Sequence, residues 1–336
     1  MSISINQGAD LKLRPFKADW EKTNIRVEIP GELINKIVKF ALPNVRLQSY
    51  SVIAGGCSNL NVRINLNAEQ RKILRIYIRD HDSAYREWAI TKLIGNSLPV
   101  PAINSIAEVE GFYFALCEFK PGITLRELLL SNHRYDIKAV MYQVGEMLTK
   151  LQQFIFPMPG FFDNQLKVKH IAGDELILFV KTCLQHKTVK DVLRKDQVNI
   201  LYQMFDKYEK LLQKIDGNHL VHGDFSPENI LVNQINDQWK VSAILDWEFA
   251  FSGSILWDVS NMLRYAHQMP KTFESAFESG LQEAGVTLPE GWEKITQLLN
   301  VISLLDCLQR SDSSTNPRKC TDIKGLIEYF INVIGY

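Results

Sequence analysis

Apolar and polar residues alternate in two stretches of the N-terminal third, and this period of two predicts β-strands. Residues 60–66 form the first stretch, with apolar side chains at Val62, Ile64 and Leu66. In residues 72–78, alternation places Leu74, Ile76 and Ile78 on one face and Ile73, Arg75 and Tyr77 on the other. A helix is predicted at 83–93, and a strand pair at 104–108 and 112–119.

After residue 120 the apolar positions take the spacing of helices. Thr124 and Glu127 match a capping box that opens a short helix ending near residue 131. Residues 135–154 carry an apolar stripe with helical spacing. Further helices are predicted at 174–186, 195–215, 292–310 and 325–334.

The most informative stretch is HGDFSPEN, at residues 222–229. Asn229 follows Asp224 by five positions, and Asp246 ends an apolar strand shortly afterwards. A loop of the form H-x-D-x-x-x-x-N before such a strand is typical of phosphotransferases that hold a base and magnesium. Asp224 has a carboxylate that can orient an attacking hydroxyl and accept its proton. The amide oxygen of Asn229 and the carboxylate of Asp246 suit magnesium, and Glu248 could reach a second metal or the substrate.

Each of these residues has an alternative interpretation as an ordinary turn or cap residue, because Asp and Asn are common there. The surrounding pattern favours the catalytic interpretation. Residues 230–232 and 239–245 predict a hairpin with its turn near Asn236 and Asp237. That hairpin would bring Asp246 back beside Asn229.

The His-Gly-Asp loop together with Leu-Asp-Trp-Glu at 245–248 resembles the aminoglycoside phosphotransferase and choline kinase family, over about residues 50–265. The resemblance implies a two-lobed, protein-kinase-like α+β fold. Residues 1–119 would form an N-terminal antiparallel sheet lobe with one helix that clamps the nucleotide. Residues 120–336 would form a larger, mainly helical C-terminal lobe for catalysis and acceptor binding.

The resemblance also implies an activity and residue roles. The activity is Mg²⁺-dependent transfer of the terminal phosphate of ATP or GTP to a hydroxyl of a small molecule. Asp224 would be the base, and Asn229 and Asp246 would bind the metal. Asp258 resembles the Asp that braces the catalytic loop in this family; the alternative for Asp258 is a plain N-cap.

A nucleotide clamp is expected upstream. The segment containing Gly55, Gly56, Ser58 and Asn59 is similar to the family's Gly-Gly-x-Ser-Asn turn, whose glycines let the backbone approach closely and whose polar side chains offer donors to phosphate. A Gly-Gly pair is also common in ordinary hairpin turns.

The strand at 72–78 predicts a phosphate-binding cation. Ile73 and Arg75 share a face with the spacing seen before the phosphate-binding Lys of kinases, so Arg75 would hold phosphate and Ile73 would contact the base. Glu87, on the next helix, would orient Arg75, with a solvated surface glutamate as the alternative. The family resemblance also places a hinge at Glu118 and Phe119, whose backbone would bind the edge of the base. Arg replaces the commoner Lys, which changes the shape of the contact with phosphate.

Composition sets limits on location and partners. Lys plus Arg and Asp plus Glu both number 38, so no global field attracts nucleic acid or membranes. The five cysteines form no C-x-x-C pair, which favours reduced thiols. The N-terminus lacks the apolar core of a signal peptide, and no apolar run approaches the length of a membrane span. We therefore expect a cytoplasmic enzyme.

The sequence leaves two other functions open. One is a nucleotide-binding regulator without catalysis, which the Arg in place of Lys favours. The other is a protein kinase, which the short distance between Asp246 and Asp258 disfavours. The sequence leaves open whether the acceptor is an antibiotic, an amino alcohol or a sugar-like molecule. It also leaves open the oligomeric state.

Overall fold

The computed structural model describes residues 13–21, 30–53, 59–67, 70–78, 80–170, 175–213 and 215–335. The elements that form the N-terminal sheet and its helices are α1 (Gly31–Ala41), β1 (Ser49–Ile53), β2 (Asn59–Asn65), β3 (Arg71–Tyr77), α2 (Asp82–Ile94), β4 (Ile103–Val109) and β5 (Phe112–Glu118). The five strands pair antiparallel in the order β1-β2-β3-β5-β4.

Two helices, rather than the single one predicted, pack on this sheet. The apolar side of α1, including Ile34 and Ile37, is buried against Leu74 and Ile76 of β3. The opposite face of β3 carries Tyr77, which packs with Ala84 of α2. The predicted division of β3 into two faces is therefore confirmed. The prediction of one helix was wrong because α1 precedes any recognisable motif.

The remaining elements are mainly helical, as predicted. The strands and α-helices among them are, in chain order, β6 (Ile123–Thr124), α3 (Leu125–Leu129), α4 (Ile137–Thr149), β7 (Gly160–Phe162), β8 (Val168–His170), α5 (Glu175–Gln185), α6 (Lys187–Val192), α7 (Lys195–Leu212), β9 (His219–Val221), β10 (Ile230–Ile235), β11 (Gln238–Ile244), β12 (Phe251–Gly253), α8 (Leu256–Leu263), α9 (Lys271–Glu283), α10 (Trp292–Gln309) and α11 (Pro317–Ile334). Two short 3-10 helices, Lys150–Gln153 and Ala266–Gln268, complete the described part. The Thr124 capping box is present at the start of α3. Helix α11 begins eight residues earlier than predicted, with Pro317 in its first turn.

The short strands position the site. β9 pairs with β12, and β12 pairs with β7. β10 and β11 form the predicted hairpin, whose turn residues Asn236 and Asp237 both have positive φ, 49° and 59°. Two central residues in that conformation match the right-handed twist of the strands. The loop 222–229 therefore lies between the end of β9 and the start of β10.

Residues 13–21 pack against the helical part of the chain, although their position in the sequence placed them in the predicted N-terminal lobe. The Phe16 side chain is 1% exposed, and its ring lies 5.4 Å from that of Tyr265 and 6.0 Å from that of Phe273. The indole N–H of Trp20 donates to Asp322 at 2.7 Å. This segment is thus part of the packed core rather than an extension of the sheet.

Helices α4 and α9 approach each other through glycines. A Cβ on Gly145 would lie 2.3 Å from the carbonyl oxygen of Phe277, and one on Gly280 would lie 2.1 Å from that of Tyr142. Only residues without a side chain permit this spacing of the two backbones. Among the described residues, no helix is both long and apolar enough to span a membrane.

We predict that Gly280→Ala lowers the free energy of unfolding by about 1–3 kcal/mol, because the new methyl group overpacks the contact between α4 and α9. Gly325→Ala is the matched control, since Gly325 lies in α11 with open space around its missing Cβ. That change should raise stability by about 0.5–1 kcal/mol, through the better helix propensity of Ala. Chemical denaturation measures both; equal effects of the two substitutions would contradict the close helix contact.

Candidate active site

His222 joins the loop 222–229 to the segment after β11. Its Nε2 lies 2.8 Å from the carbonyl oxygen of Leu245, and its Nδ1 lies 3.2 Å from the backbone nitrogen of Asp224. Nδ1 can accept the Asp224 N–H only when it carries no proton, so Nε2–H donates to Leu245. Burial lowers the pKa of His222, which favours this neutral ring. Its ring also packs on Trp247, with the centroids 4.5 Å apart.

Gly223 fits where no other residue would. Its φ is +82°, and an added Cβ would lie 2.2 Å from the carbonyl oxygen of Phe249. The loop therefore crosses the segment after Asp246 at backbone distance. This contact explains a glycine between His222 and Asp224.

Asp258 holds the loop from the first turn of α8. Its two carboxylate oxygens accept separate N–H groups, from His222 at 2.7 Å and from Gly223 at 3.0 Å. The amide of Asn261 adds a bond to the Gly223 carbonyl oxygen at 3.0 Å. Burial raises the pKa of Asp258 to about 7, and the two N–H groups oppose that rise. The N-cap of α8 is Ile255, so the N-cap alternative for Asp258 was wrong.

Asp224 and Asn229 are in direct contact. The side-chain N–H₂ of Asn229 donates to the Asp224 carboxylate at 3.0 Å and to the Asp224 carbonyl oxygen at 2.9 Å. Both amide hydrogens are thereby used, and Oδ1 is left as the ligand atom of this side chain. The backbone N–H of Leu245 donates to the Asn229 carbonyl oxygen at 2.8 Å. As the hairpin predicted, the segment that carries Asp246 lies beside Asn229.

Asp246 belongs to a compact group of carboxylates. Oxygens of Glu87, Asp246 and Glu248 lie within 4.8 Å of one another. Asp246 itself has φ +65°, a conformation that is costly for a residue with a side chain and that is often found at functional sites. Oxygen ligands of this kind suit Mg²⁺, so the Asp246 carboxylate and Oδ1 of Asn229 fit the implied metal.

Arg75 lies among these carboxylates. Its Nη2 is 2.6 Å from Asp246, 2.9 Å from Glu87 and 3.8 Å from Glu248. Burial disfavours the charge, but Asp246 and Glu87 outweigh it and raise the pKa of Arg75 above its usual range. Its buried Nε has no hydrogen-bond partner among the described residues. The structure therefore pairs Arg75 with both Glu87 and Asp246 through Nη2.

Glu87 is fixed from two sides. One carboxylate oxygen pairs with Arg75, and the other accepts the Tyr77 hydroxyl at 2.7 Å. Burial raises the pKa of Glu87 to about 7, while the nearby Arg75 guanidinium lowers it. Glu87 is 4% exposed, so the alternative of a solvated surface glutamate was wrong.

The other predicted nucleotide contacts divide into three groups. Gly55, Gly56 and Ser58 lie outside the described residues. Asn59 is buried and donates to Glu248 at 2.8 Å, so one of its amide hydrogens is directed to a carboxylate. Ile73 lies on the same face of β3 as Arg75, as predicted.

The predicted hinge is partly engaged in protein contacts. The N–H of Glu118 donates to the carbonyl oxygen of Ala102 at 2.8 Å, and its carboxylate pairs with Lys120 at 2.7 Å. Phe119 packs under the guanidinium of Arg71. Because the Glu118 N–H is already used, the prediction that this hinge binds the base now concerns the Glu118 carbonyl oxygen and the backbone groups of Phe119.

Lys17 is the site residue that the sequence did not reveal. Its Nζ lies 3.1 Å from Oδ1 of Asp224 and 2.6 Å from Oε1 of Glu228. Burial of Asp224 acts in the opposite direction, but Lys17 keeps the pKa of that carboxyl below its usual value. Lys17 precedes Asp224 by 207 positions and belongs to no motif.

Known proteins share this arrangement of elements. The sequence model of the phosphotransferase enzyme family matches residues 49–297. Among curated proteins, none matches the chain. A thermostable mutant of aminoglycoside phosphotransferase APH(4)-Ia, in ternary complex with AMP-PNP and hygromycin B, superposes with a TM-score of 0.68 and 18% identity, covering 89% of this chain and 98% of that one.

Two related structures give the same result. The GDP complex of an aminoglycoside 2'-phosphotransferase-IIIa mutant has a TM-score of 0.70 and 16% identity, covering 89% of this chain and 96% of that one. The GDP and kanamycin complex of APH(2")-IIia has a TM-score of 0.68 and 15% identity, covering 89% and 98%. These likenesses confirm the two-lobed, kinase-like fold.

We predict that Asp258→Asn lowers the free energy of unfolding by about 1–3 kcal/mol, because the new N–H₂ group faces one of two backbone N–H groups and leaves it without an acceptor. Nucleotide turnover should fall with it, since the loop loses its support. Asp206→Asn is the control, because that side chain is 60% exposed. Thermal melts of both variants measure this change. Wild-type stability and turnover in Asp258→Asn would show that the loop 222–229 keeps its conformation without the Asp258 hydrogen bonds.

Proposed function

The chain belongs to the phosphotransferase enzyme family, and we propose that it transfers the terminal phosphate of ATP or GTP to a hydroxyl of a small molecule with Mg²⁺. The main support for this proposal is that hydrogen bonds join the loop 222–229 to the segment that carries Asp246. The side chains of Asp224 and Asn229 are hydrogen-bonded to each other. Leu245, which directly precedes Asp246, donates its backbone N–H to the Asn229 carbonyl oxygen. One site thus offers a base and oxygen ligands for a metal.

The residues divide the work of phosphoryl transfer. The Asp224 carboxylate orients the acceptor hydroxyl and takes its proton as the oxygen forms a bond to the terminal phosphorus. The bond from that phosphorus to the bridging oxygen breaks, and the nucleoside diphosphate leaves. Asn229 and Asp246 would hold Mg²⁺, which when bound neutralises phosphate charge. Arg75 contributes the positive charge of its guanidinium to phosphate, and Glu87 fixes its direction.

The donor and acceptor follow from chemistry and from related structures. Aminoglycoside phosphotransferases have been solved with AMP-PNP or GDP, and with hygromycin B or kanamycin. We therefore propose ATP or GTP as the donor and a hydroxylated antibiotic, amino alcohol or sugar-like molecule as the acceptor. Base binding at the hinge by backbone groups of Glu118 and Phe119, beside Ile73, is part of the same proposal.

The protein kinase alternative is poorly supported by the segment after Asp246. That segment enters β12, whose Phe251 and Ser252 pair with Val221 and Leu220 of β9. α8 then begins at Leu256. A segment held in a sheet and followed at once by a helix offers little room for a loop that docks a peptide.

Asp224→Asn should lower acceptor-dependent release of ADP or GDP by several powers of ten, because the amide cannot take up the proton, while nucleotide binding is kept. Asp237→Asn, in the turn of the β10–β11 hairpin, is the matched control and should behave as wild type. Pools of hydroxylated amines, antibiotics and sugars serve as acceptors, each with Mg-ATP and with Mg-GTP. Normal release by Asp224→Asn would reject its role as the base. Nucleotide binding without release from any pool would support the catalytically silent regulator.

Arg75→Ala should weaken binding of the Mg-nucleotide by about tenfold or more, since a hydrogen bond to a charged group contributes about 1.5–3 kcal/mol. Lys72→Ala is the control on the same strand, because Lys72 donates to Asn104 instead of facing the carboxylates. Calorimetric titration with Mg-AMP-PNP measures both dissociation constants. Equal affinities of the two variants for Mg-AMP-PNP would show that Arg75 does not contribute to nucleotide binding.

A further inference from the structure

Lys17 places an ammonium group at the proposed catalytic base. It lies outside residues 49–297, the range that the family model matches. Its Nζ contacts both Asp224, at 3.1 Å, and Glu228, at 2.6 Å. The Lys17 side chain is 18% exposed, and those of its partners are 26% and 13% exposed. The three groups therefore form an ion-paired cluster with restricted access to water.

Contacts on both sides of Lys17 hold it in place. The preceding ring, Phe16, is buried against Tyr265 and Phe273, and the Phe16 carbonyl oxygen accepts Nη1 of Arg126 at 3.3 Å. Trp20 donates to Asp322 at 2.7 Å. Further along, the carboxylate of Glu21 accepts the N–H groups of Arg318 and Lys319 in the first turn of α11, at 2.7 and 3.0 Å.

The backbone shows that this position is enforced. Phe16 and Lys17 have φ values of +60° and +59°, in the left-handed region that residues with a side chain seldom adopt. Each such residue costs about 1–3 kcal/mol and persists only where its surroundings impose it. The anchors at Phe16, Trp20 and Glu21 provide those surroundings. Lys17 is thus a fixed part of the site rather than a flap lying over it.

The charge of Lys17 is secured by its partners. Burial disfavours the ammonium form, but Asp224 and Glu228 outweigh burial and the repulsion from Arg264, so the pKa of Lys17 is raised. A second cation beside this ammonium would meet like-charge repulsion in a partly desolvated pocket, and the carboxylates would already be paired.

These contacts bear on the choice of acceptor. The reacting hydroxyl must reach Asp224, and Glu228 lies on the same loop, so the two carboxylates would bind an ammonium group carried next to that hydroxyl. We propose that Lys17 is a specificity-determining residue of the acceptor site: it fills this acidic subsite from within the chain. The acceptor therefore presents its hydroxyl without an adjacent ammonium group. This inference rests on the proposed function for the meaning of the site.

The test measures binding of a polycation without turnover. Calorimetry with kanamycin, in the presence of Mg-AMP-PNP, compares the wild type with Lys17→Met and Lys17→Arg. Lys17→Met keeps the side chain up to its fourth heavy atom and removes only the terminal ammonium group, so it should bind kanamycin about tenfold more tightly or better, as expected for a hydrogen-bonded ion pair. Lys17→Arg should bind as weakly as the wild type. The double variant Lys17→Met/Glu228→Gln should lose most of the gain.

An unchanged or weaker affinity of Lys17→Met would overturn the proposal, as would wild-type binding as tight as that of the variant. Faster ADP release by Lys17→Met from an acceptor without an ammonium group would also overturn it, because Lys17 would then block the site rather than select its ligand. A failure of the proposed function would give a different result. No acceptor pool would then support release of ADP or GDP by the wild type, whereas the comparison of kanamycin binding would be unaffected.

A second measurement covers a variant that folds poorly. Lys17→Ala removes three methylene groups and the ammonium group of the side chain, and n-propylammonium carries the same number of carbons and the same charge. The melting temperature of Lys17→Ala should rise with added n-propylammonium and not with n-propanol, while the wild type responds to neither. No difference between the two additives in the variant would contradict an acidic cation subsite at Asp224 and Glu228.

Discussion

The site depends on the bonds between the loop 222–229 and the segment that carries Asp246. His222 is bonded to the carbonyl oxygen of Leu245, and the N–H of Leu245 is bonded to the carbonyl oxygen of Asn229. These bonds place the loop with the proposed base and the segment with the proposed metal ligand Asp246 in one fixed relation, which phosphoryl transfer would require because it is driven mainly by positioning and charge. The close crossing at Gly223 and the support from Asp258 maintain the same relation from the other side.

The charged side chains of the site form two groups. Arg75 lies among Glu87, Asp246 and Glu248, where the metal and phosphates are proposed to bind. Lys17 lies between Asp224 and Glu228, where the acceptor is proposed to bind. Each cation offsets the repulsion among its carboxylates. The proposed donor side and the proposed acceptor side of the site therefore each contain one cation with its own set of carboxylates.

The sequence predicted what local patterns encode. The spacing of Asp224 and Asn229, the hairpin that returns Asp246, and the two faces of β3 all follow from short-range rules on turns and alternation. The pairing of Arg75 with Glu87 needed the family resemblance as well, because a strand residue and a helix residue meet only in the folded chain. These elements were confirmed where the structure describes them.

What the sequence did not predict depends on contacts between distant segments. Lys17 reaches Asp224 only because Phe16 and Trp20 are packed on helices that are formed near the other end of the chain. Gly145 and Gly280 are unremarkable as single residues, and their importance appears only when α4 and α9 are side by side. Helix α1 carried a readable apolar stripe, but no motif marked its place on the sheet.

The most direct test of the account is to follow the terminal phosphate itself. Nucleotide labelled with heavy oxygen in that phosphate is incubated with Mg²⁺, the protein and the acceptor pools, and the products are identified by mass spectrometry. We expect label in one hydroxylated compound that carries no ammonium group next to the modified oxygen. Label in inorganic phosphate alone would show hydrolysis without transfer and would contradict the proposed kinase activity.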